Sequence, residues 1–313
     1  MSTARNIPND RGLTLRMFTT GLMLVLLYGI VIGILIAVGI SYALVLVIAG
    51  AILFCQYWFS DKIALYGMGG HIVTPEQAPQ LHGAIDRLCA MADMKKPRVA
   101  VADTDVPNAF ATGRSPNNAV VCATTGLMRR LDESELEAVL AHELSHVAHR
   151  DVAVMTIASF LGMAAGMVTQ MMLWTGMIGG FGGGGNNSNN NQGGDQAALV
   201  ELAVLVVSVV VYAISFLLTM ALSRYRELAA DRAGAILTGQ PSVLASALVK
   251  VTGEIARIPS RDLRSTETFN AFYFTPAIAK GGTSISTLFS THPSLDQRLA
   301  QLASLEAEMG RPS

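Results

Sequence analysis

The chain has 313 residues, of which 51% are hydrophobic and only 14% are charged, and its formal net charge is −1 at pH 7. Soluble domains carry about 25% charged residues. The composition therefore argues against a purely soluble protein, and the near-zero charge excludes a general electrostatic attraction to nucleic acid. The three cysteines, at positions 55, 89 and 122, are too few and too scattered for a disulfide framework, and we expect them to be reduced.

The N-terminal part of the chain contains a long apolar run. Residues 17–60 include no Asp, Glu, Lys or Arg. A helix that crosses the hydrocarbon core of a bilayer needs about 20 residues, so this run predicts two membrane spans joined by a turn near residues 38–41. A single secretory signal peptide is excluded, because the run is too long and no small-residue cleavage site separates its halves.

The next predicted elements belong to a soluble part of the chain, residues 61–151. A capping sequence at residues 74–77, followed by apolar residues at helical spacing, predicts a helix over residues 72–94. Short β-like runs separated by turn residues predict a small antiparallel sheet. These runs are Arg98–Val101, Asn108–Thr112 and Ala119–Ala123.

A further helix is predicted to begin at a capping box formed by Asp132 and Glu135, with Asp in place of Ser or Thr. Its apolar residues recur on one side. No helix-breaking residue follows before Gly162, so this helix could continue directly into the next apolar segment.

A second pair of membrane spans is predicted within residues 152–222. Residues 152–178 and 202–222 are uncharged and mostly apolar, although Gly and Met dilute the first of the two segments. The Gly/Asn-rich stretch between them, residues 179–195, is typical of a flexible, solvated connector. The alternative is a pair of buried core helices in a soluble domain.

The distribution of basic residues predicts how the chain is oriented in the membrane. The N-terminal tail carries three arginines, whereas no Lys or Arg occurs between Arg150 and Arg224. By the positive-inside rule, the tail and both soluble parts face the cytoplasm, and the connector at 179–195 faces outside. The predicted organisation is a multi-pass protein of the cell (inner or cytoplasmic) membrane. It has a cytoplasmic tail 1–16, two spans 17–60, a cytoplasmic part 61–151, two spans 152–222 and a second cytoplasmic part 223–313.

The residues His142-Glu143-Leu144-Ser145-His146 form an HExxH motif. Two histidines four residues apart lie on the same face of a helix and can share one metal ion. Glu143 lies next to the first histidine, where it can take a proton from a water molecule bound to zinc. The alternative is a polar stripe on an amphipathic helix, but a His-Glu-His set is costly to bury without partners.

A catalytic zinc ion needs a third protein ligand and an open position for water. Glu227 and Asp231 lie four residues apart, just after the predicted fourth span. Glu227 can bind the metal, and Asp231 can accept a hydrogen bond from a ligating histidine and fix its tautomer. Alternatively, both only pair with neighbouring arginines. His149 competes as third ligand, but three ligands along one straight helix would spread over two turns, which is too far for one tetrahedral ion.

These motifs resemble the HtpX-type membrane zinc metallopeptidases, with the prenyl-protein CAAX endopeptidases as more distant relatives. The motifs are PNAFATG at 107–113, HELSH at 142–146, SRYRELAAD at 223–231, and THPS at 291–294 with Arg298. The resemblance implies a mainly α integral membrane protein with about four transmembrane helices and a cytoplasmic zincin-like (HExxH) metallopeptidase domain. Its two parts would be residues 61–151 with the HExxH helix and the small sheet, and residues 223–313 with the ExxxD and His-Pro motifs.

The resemblance also implies roles for individual residues. It implies that one Zn²⁺ per chain is bound by His142, His146 and Glu227. It further implies that Glu143 is the general base and that Asp231 supports a ligating histidine.

Two further features of the sequence match the family less specifically. His292 and Arg298 match a His-Pro-x4-Arg motif whose side chains would stabilise the oxyanion of the tetrahedral intermediate. The alternative is a helix start with a Ser294–Gln297 capping box. The residues Asn108, Ala109 and Phe110 resemble part of a strand that binds an extended peptide, or they form a plain core strand. The aromatic run at 269–274 is expected to pack in the core, although it could also line a substrate groove or touch lipid.

The resemblance implies that the protein hydrolyses peptide bonds in misfolded or damaged membrane proteins, as quality control under stress. In the expected mechanism a zinc-activated water attacks with Glu143 as general base. The expected partners are membrane-protein or unfolded protein substrates and the lipid bilayer, with no nucleic acid, and the oligomeric state stays open. The alternatives are a narrow-specificity processing peptidase of the CAAX type, a membrane scaffold with a structural zinc ion, and a small multispan transporter. The uncharged spans argue against the transporter.

Overall fold

The computed structural model describes residues 11–37, 57–150, 191–257 and 292–310, together with five isolated positions between 47 and 55. The chain divides into two compact units. The first unit contains Met1–Leu15, Cys55–Val154 and Met220–Ser313, and the second contains Arg16–Phe54 and Met155–Thr219. The predicted turn at 38–41, the predicted third span at 152–178 and the aromatic run at 269–274 lie outside the described residues.

Two long apolar helices supply most of the described part of the second unit, and both extend into the first unit. Helix α1 covers Arg11–Ala37, and the helix that we call α6 covers Asn191–Thr238. Leu24 and Val211 are buried together between the two. Helix α6 begins within the last residues of the predicted connector, and it includes the predicted fourth span.

Among the described residues, one helix is long and apolar enough to cross a membrane, at Leu205–Thr238. The number of four spans therefore stays a prediction.

The first unit contains a four-stranded sheet with the strand order β1-β2-β4-β3. Strands β1–β2 and β3–β4 pair antiparallel, whereas β2 and β4 pair parallel, so the sheet is mixed and not antiparallel throughout. The sequence does not indicate the direction of β4. All five of its side chains are buried, so its residues do not alternate between apolar and polar. The strands are Gly70–Ile72 (β1), Arg98–Ala102 (β2), Ala109–Thr112 (β3) and Val120–Thr124 (β4).

Helices surround this sheet. The large apolar core of the unit lies between the sheet and helices α3, α5, α7 and α8, and a smaller core lies between the sheet and α2. The helices are Ser60–Gly67 (α2), Pro79–Ala92 (α3), Thr125–Arg130 (α4), Glu133–His149 (α5), Pro241–Arg257 (α7) and Leu295–Met309 (α8).

The predicted helix over residues 72–94 begins later than expected. Ile72 ends strand β1, and the Gln77 side chain accepts a hydrogen bond from the Thr74 backbone N–H within a turn. Helix α3 then begins at Pro79, whose ring favours the first helical position. The capping sequence at residues 74–77 thus closes a turn before the helix instead of starting it.

Helix α5 begins as predicted and ends earlier. The Asp132–Glu135 capping box is present in both directions. The buried Glu135 side chain also accepts hydrogen bonds from Ser246 and Lys250 of α7, which fixes the start of α5 against the core. The helix ends at His149 because Arg150 adopts a left-handed conformation with φ of 58°, so α5 does not continue into the following segment.

Candidate metal centre

Helix α5 places the two histidines of the HExxH motif side by side in the interior. The apolar residues Leu140 and Leu144 pack into the core of the first unit. His142 and His146 are both buried, and their Nε2 atoms lie 3.3 Å apart. Two nitrogen donors therefore converge on one point, as the four-residue spacing predicts.

Helix α6 supplies a carboxylate to the same point. The Glu227 carboxylate lies 3.6 Å from His142 Nε2 and 3.5 Å from His146 Nε2. The possible ligand atoms of these three residues all lie within 4.8 Å of one another, and within the described ranges they form the one such group. His149, which competes with Glu227 in the sequence, is not part of it. Two imidazoles and one carboxylate form a donor set of catalytic zinc sites, so these residues fit a metal ion.

The electrostatics of the site also favour a cation. Burial lowers the pKa of His142, but its hydrogen bonds to Asp231 and Glu227, together with their charges, outweigh burial and raise this pKa to about 9. The two carboxylates thus create a negative field at the imidazoles, and such a field favours any cation that binds there.

Asp231 and Arg298 support His142 from behind. Asp231 Oδ1 lies 2.9 Å from His142 Nδ1, which leaves Nε2 for a metal ion. Arg298 donates from Nε to Asp231 Oδ2 at 2.7 Å and from Nη2 to Asp231 Oδ1 at 2.6 Å. Arg298 is only 1% exposed and Asp231 is fully buried, so this ion pair lies in the interior behind His142. Its predicted contact with an oxyanion stays a prediction.

A glycine allows the two ligand-bearing helices to approach each other. A Cβ atom on Gly234 would lie 2.8 Å from His142 N and 3.0 Å from His142 Cα. Backbone atoms cannot move aside as a side chain can, so the position requires glycine. Gly234 is not among the residues predicted from the sequence, although an isolated glycine within a helical pattern is a signal for a close packing contact.

His292 lies beside Glu227. Its Nδ1 atom is 3.4 Å from Glu227 Oε2, and its side chain is buried. The capping box between Ser294 and Gln297 is present as well. The two interpretations of this segment are therefore compatible: Ser294 starts helix α8, and His292 extends into the site.

Glu143 is buried next to strand β3. Burial raises its pKa to about 7, against the lowering effects of the His142 charge and of a hydrogen bond from the backbone N–H of Ala111. The contact with Ala111 ties the predicted general base to the edge strand of the sheet, and no sequence pattern signals it.

Two of the three predicted peptide-binding residues form the start of this strand, and Asn108 directly precedes it. Asn108, Ala109 and Phe110 are all buried. Phe110 packs in the small core against α2, and the Asn108 backbone N–H donates to Thr124 Oγ1 at 2.9 Å. In the described sheet β3 is an edge strand whose one partner is β4. These side chains belong to the core, so a peptide would meet the backbone edge of β3.

Comparison with known proteins identifies the family. Residues 75–306 match peptidase family M48. The chain is 56% identical over 303 residues to Protease HtpX homolog 1 of Streptomyces coelicolor, covering 96% of this chain and 95% of the relative. It is 51% identical to the Protease HtpX homolog of Moorella thermoacetica, with 97% and 98% covered. The chain therefore belongs to peptidase family M48, among the HtpX proteases, and it is a metalloprotease.

A solved structure supports the fold. The crystal structure of S. mikatae Ste24p superposes with a TM-score of 0.51 at 15% sequence identity, covering 92% of this chain and 67% of that chain. At this identity the likeness concerns the fold alone.

Proposed function

We propose that this M48 metalloprotease is a zinc-dependent, membrane-bound endopeptidase that hydrolyses peptide bonds of misfolded or damaged membrane proteins, in quality control and the response to stress. The observation that carries the proposal is the buried convergence of His142, His146 and Glu227, with Glu143 adjacent in the same helix. The long uncharged run at residues 17–60 and the apolar helix Leu205–Thr238 support a membrane location.

His142 and His146 would hold the zinc ion through Nε2, and Glu227 would hold it through a carboxylate oxygen. Three protein ligands leave one coordination position open, which distinguishes a catalytic zinc site from a closed structural one. When bound, the ion supplies a Lewis acid that acidifies water and polarises a carbonyl group.

Glu143 would act as the general base. Its carboxylate accepts a hydrogen bond from the backbone N–H of Ala111, and it lies next to the proposed metal ligand His142 in the chain. We propose that its carboxylate takes a proton from the attacking water and later delivers this proton to the nitrogen of the leaving amine.

Three buried residues would assist this chemistry. Asp231 keeps His142 in the orientation that directs Nε2 to the metal, and Arg298 holds Asp231 through two hydrogen bonds. His292, beside Glu227, would donate a hydrogen bond to the oxygen on which negative charge develops, which lowers the barrier.

The backbone edge of β3 would bind the substrate peptide in an extended conformation by adding a strand to the sheet. This part of the proposal is supported by the position of β3 at the edge of the sheet and by the link from Ala111 to Glu143. In such a mode the backbone hydrogen bonds are independent of side-chain identity, which suits a protease that degrades many sequences.

The charge pattern supports a cytoplasmic active site. We propose four membrane spans in the cell membrane, with the N-terminus and the first unit on the cytoplasmic side, because the arginines of the tail and of both soluble parts follow the positive-inside rule.

Cleavage of an unfolded model protein tests the proposed activity directly. Wild type and Glu143→Gln, purified in detergent, would each be incubated with casein, with zinc and with a chelator. We expect cleavage by zinc-loaded wild type alone, while Glu143→Gln still binds zinc. Cleavage by the Glu143→Gln variant would refute the assignment of the base, and zinc binding without any cleavage would favour a narrow substrate range or a structural metal.

A further inference from the structure

Helix α2 presents two chemically different faces. Its inner face contributes the fully buried Ala64 to the small core that also contains Phe110 of β3. Its outer face carries Lys62, Ile63 and Tyr66, and the N-cap residue Phe59 precedes them at helical spacing. Tyr66 is 92% exposed. An apolar and aromatic stripe on the outside of a short helix is unusual in water but typical of a helix that lies in a membrane interface.

The charged residues of this region are also divided between the inner and the outer side of α2. The one acidic residue of α2, Asp61, is buried and pairs with Arg98. On the outer side, Lys62 Nζ lies 5.6 Å from the centre of the Phe59 ring, and the Arg114 guanidinium lies 4.1 Å from the centre of the Trp58 ring. We call the set Trp58, Phe59, Lys62, Ile63, Tyr66 and Arg114 the aromatic-basic platform.

The platform is joined to the end of strand β3. Thr112 Oγ1 donates to the backbone carbonyl of Ser60 at 3.4 Å, and Arg114 Nη1 donates to the backbone carbonyl of Trp58 at 3.3 Å. Between them, Gly113 has a φ of +126°, and a Cβ atom there would lie 2.4 Å from Asn118 O, so this tight connection requires glycine.

The same loop also reaches the metal centre. Thr112 and Arg114 line a small cavity together with the proposed metal ligand His146. A displacement of the platform would therefore also displace residues at the edge of the active site.

We propose that the aromatic-basic platform lies in the headgroup layer of the bilayer and holds β3 at the membrane surface, so that the protease cleaves segments close to the bilayer in preference to segments far from it. Trp and Tyr concentrate at membrane interfaces, and an anionic leaflet attracts Lys and Arg. The inference rests on the proposed function, since it assumes that β3 binds the substrate.

Two observations favour the bilayer over a second copy of the chain as the occupant. The platform begins with Trp58 and Phe59 at the end of the uncharged run at residues 17–60, so the chain enters α2 from an apolar segment. None of the six platform residues is acidic, and the acid of α2 is turned inward. Two platforms placed face to face would repel each other, whereas anionic headgroups complement them.

A fluorescent reporter at Tyr66 tests where the platform lies. The chain has two tryptophans, so Tyr66→Trp combined with Trp58→Phe and Trp174→Phe leaves a single one. The full chain would be reconstituted in vesicles of phosphatidylcholine and phosphatidylglycerol that carry a nitroxide quencher either near the headgroup or near the end of the acyl chain. We expect stronger quenching by the shallow nitroxide. Quenching by aqueous iodide alone would overturn the proposal, and so would protection from all three quenchers, as expected for a face covered by a second copy.

A pair of matched substitutions tests the consequence for substrates. Ile63 on the platform and Ile72 on β1 have similar exposed fractions, 51% and 47%. The variants Ile63→Glu and Ile72→Glu would be given one cleavable segment, either anchored to the vesicle by a short linker or detached from it. We expect the ratio of anchored to detached cleavage to fall about fivefold in Ile63→Glu alone, the effect of about one charge at an anionic surface.

The two substrates separate failure of this inference from failure of the proposed function. Equal cleavage of anchored and detached segments by wild type would refute the role of the platform and leave the protease activity intact. Absence of cleavage of either substrate by wild type would refute the proposed function itself.

Discussion

The two halves of helix α6 differ in the kind of side chain that they expose or bury. The first half, within the second unit, leaves six apolar or aromatic side chains exposed: Val206, Val209, Val210, Tyr212, Ile214 and Leu217. The second half, within the first unit, buries two carboxylates, Glu227 and Asp231. In water both arrangements would be unfavourable. One continuous helix therefore needs two surroundings: an apolar one around its first half, and specific polar partners around its second half.

In the second half of α6 each buried charged residue depends on a specific partner, whereas the first half depends only on the apolar character of its residues. Each buried charge in the second half has a named counterpart, because an unpaired buried charge is costly. The apolar half has a small buried contact, Leu24 with Val211, and otherwise exposes similar side chains on several sides. Substitutions should accordingly have position-specific effects in the second half and graded, depth-dependent effects in the first.

The largest effect is expected for Glu227→Ala. Removal of the carboxylate leaves two histidines to hold the metal, so bound zinc should fall sharply and casein cleavage should drop to background. Metal content per chain and the rate of cleavage would be measured side by side. Leu217→Ala, in the apolar half, is the control and should retain its metal. Full metal occupancy in Glu227→Ala would show that another residue supplies the third ligand.

Arg298→Ala is expected to have the next largest effect. It leaves Asp231 buried without its guanidinium partner, and breaking a buried ion pair in this way costs about 3–5 kcal/mol. Chemical denaturation of the metal-free protein measures this loss. Arg298→Lys should restore part of it, since lysine supplies the charge but not the two parallel hydrogen bonds. If Arg298→Ala were as stable as wild type, the bond between Arg298 and Asp231 would have no structural role.

A matched pair of valines tests whether lipid surrounds the apolar half. Val210 in the first half of α6 and Val249 in α7 have exposed fractions of 50% and 49%. Val249→Lys should change stability by less than about 0.5 kcal/mol, as at a surface in contact with water. Val210→Lys should disfavour insertion by about 2.5–3.5 kcal/mol if it lies at the bilayer centre. The fraction of chain recovered in membranes after alkaline extraction measures the difference. Equal recovery of both variants would argue that water contacts the first half of α6.

The same contrast explains what the sequence could predict. The HExxH and ExxxD spacings imply that His142, His146, Glu227 and Asp231 each lie on a definite helix face, and the structure brings all four together. The capping boxes at Asp132 and Ser294 are likewise confirmed, because both are local patterns within one helical turn. Local periodicity carries this information directly.

Features that depend on contacts between distant segments could not be predicted from the sequence. The parallel pairing of β2 with β4 depends on the path of the chain between them, and the buried run of β4 carries no sign of direction. The bidentate pairing of Arg298 with Asp231 joins residues that are far apart in the chain. Strand β1 is only three residues long, too short for a periodic pattern, and its existence depends on its pairing with β2.

The smallest of the four effects is expected for Gly234→Ala, and it tests how closely the two ligand-bearing helices must approach. The added methyl group would meet the His142 backbone at 2.8 Å, and overpacking of this kind typically costs about 1–3 kcal/mol. If the added methyl group moves α6 away from α5, zinc affinity should decrease about tenfold or more while the metal-free fold persists. Gly253→Ala in α7 is the control, because a Cβ atom there meets nothing within 4 Å and alanine is the better helix former. Zinc titration of the two variants by competition with a chelator gives the comparison. Equal affinities would mean that the helices can separate without loss of the site, and that Glu227 reaches the histidines over a wider range of distances than the structure suggests.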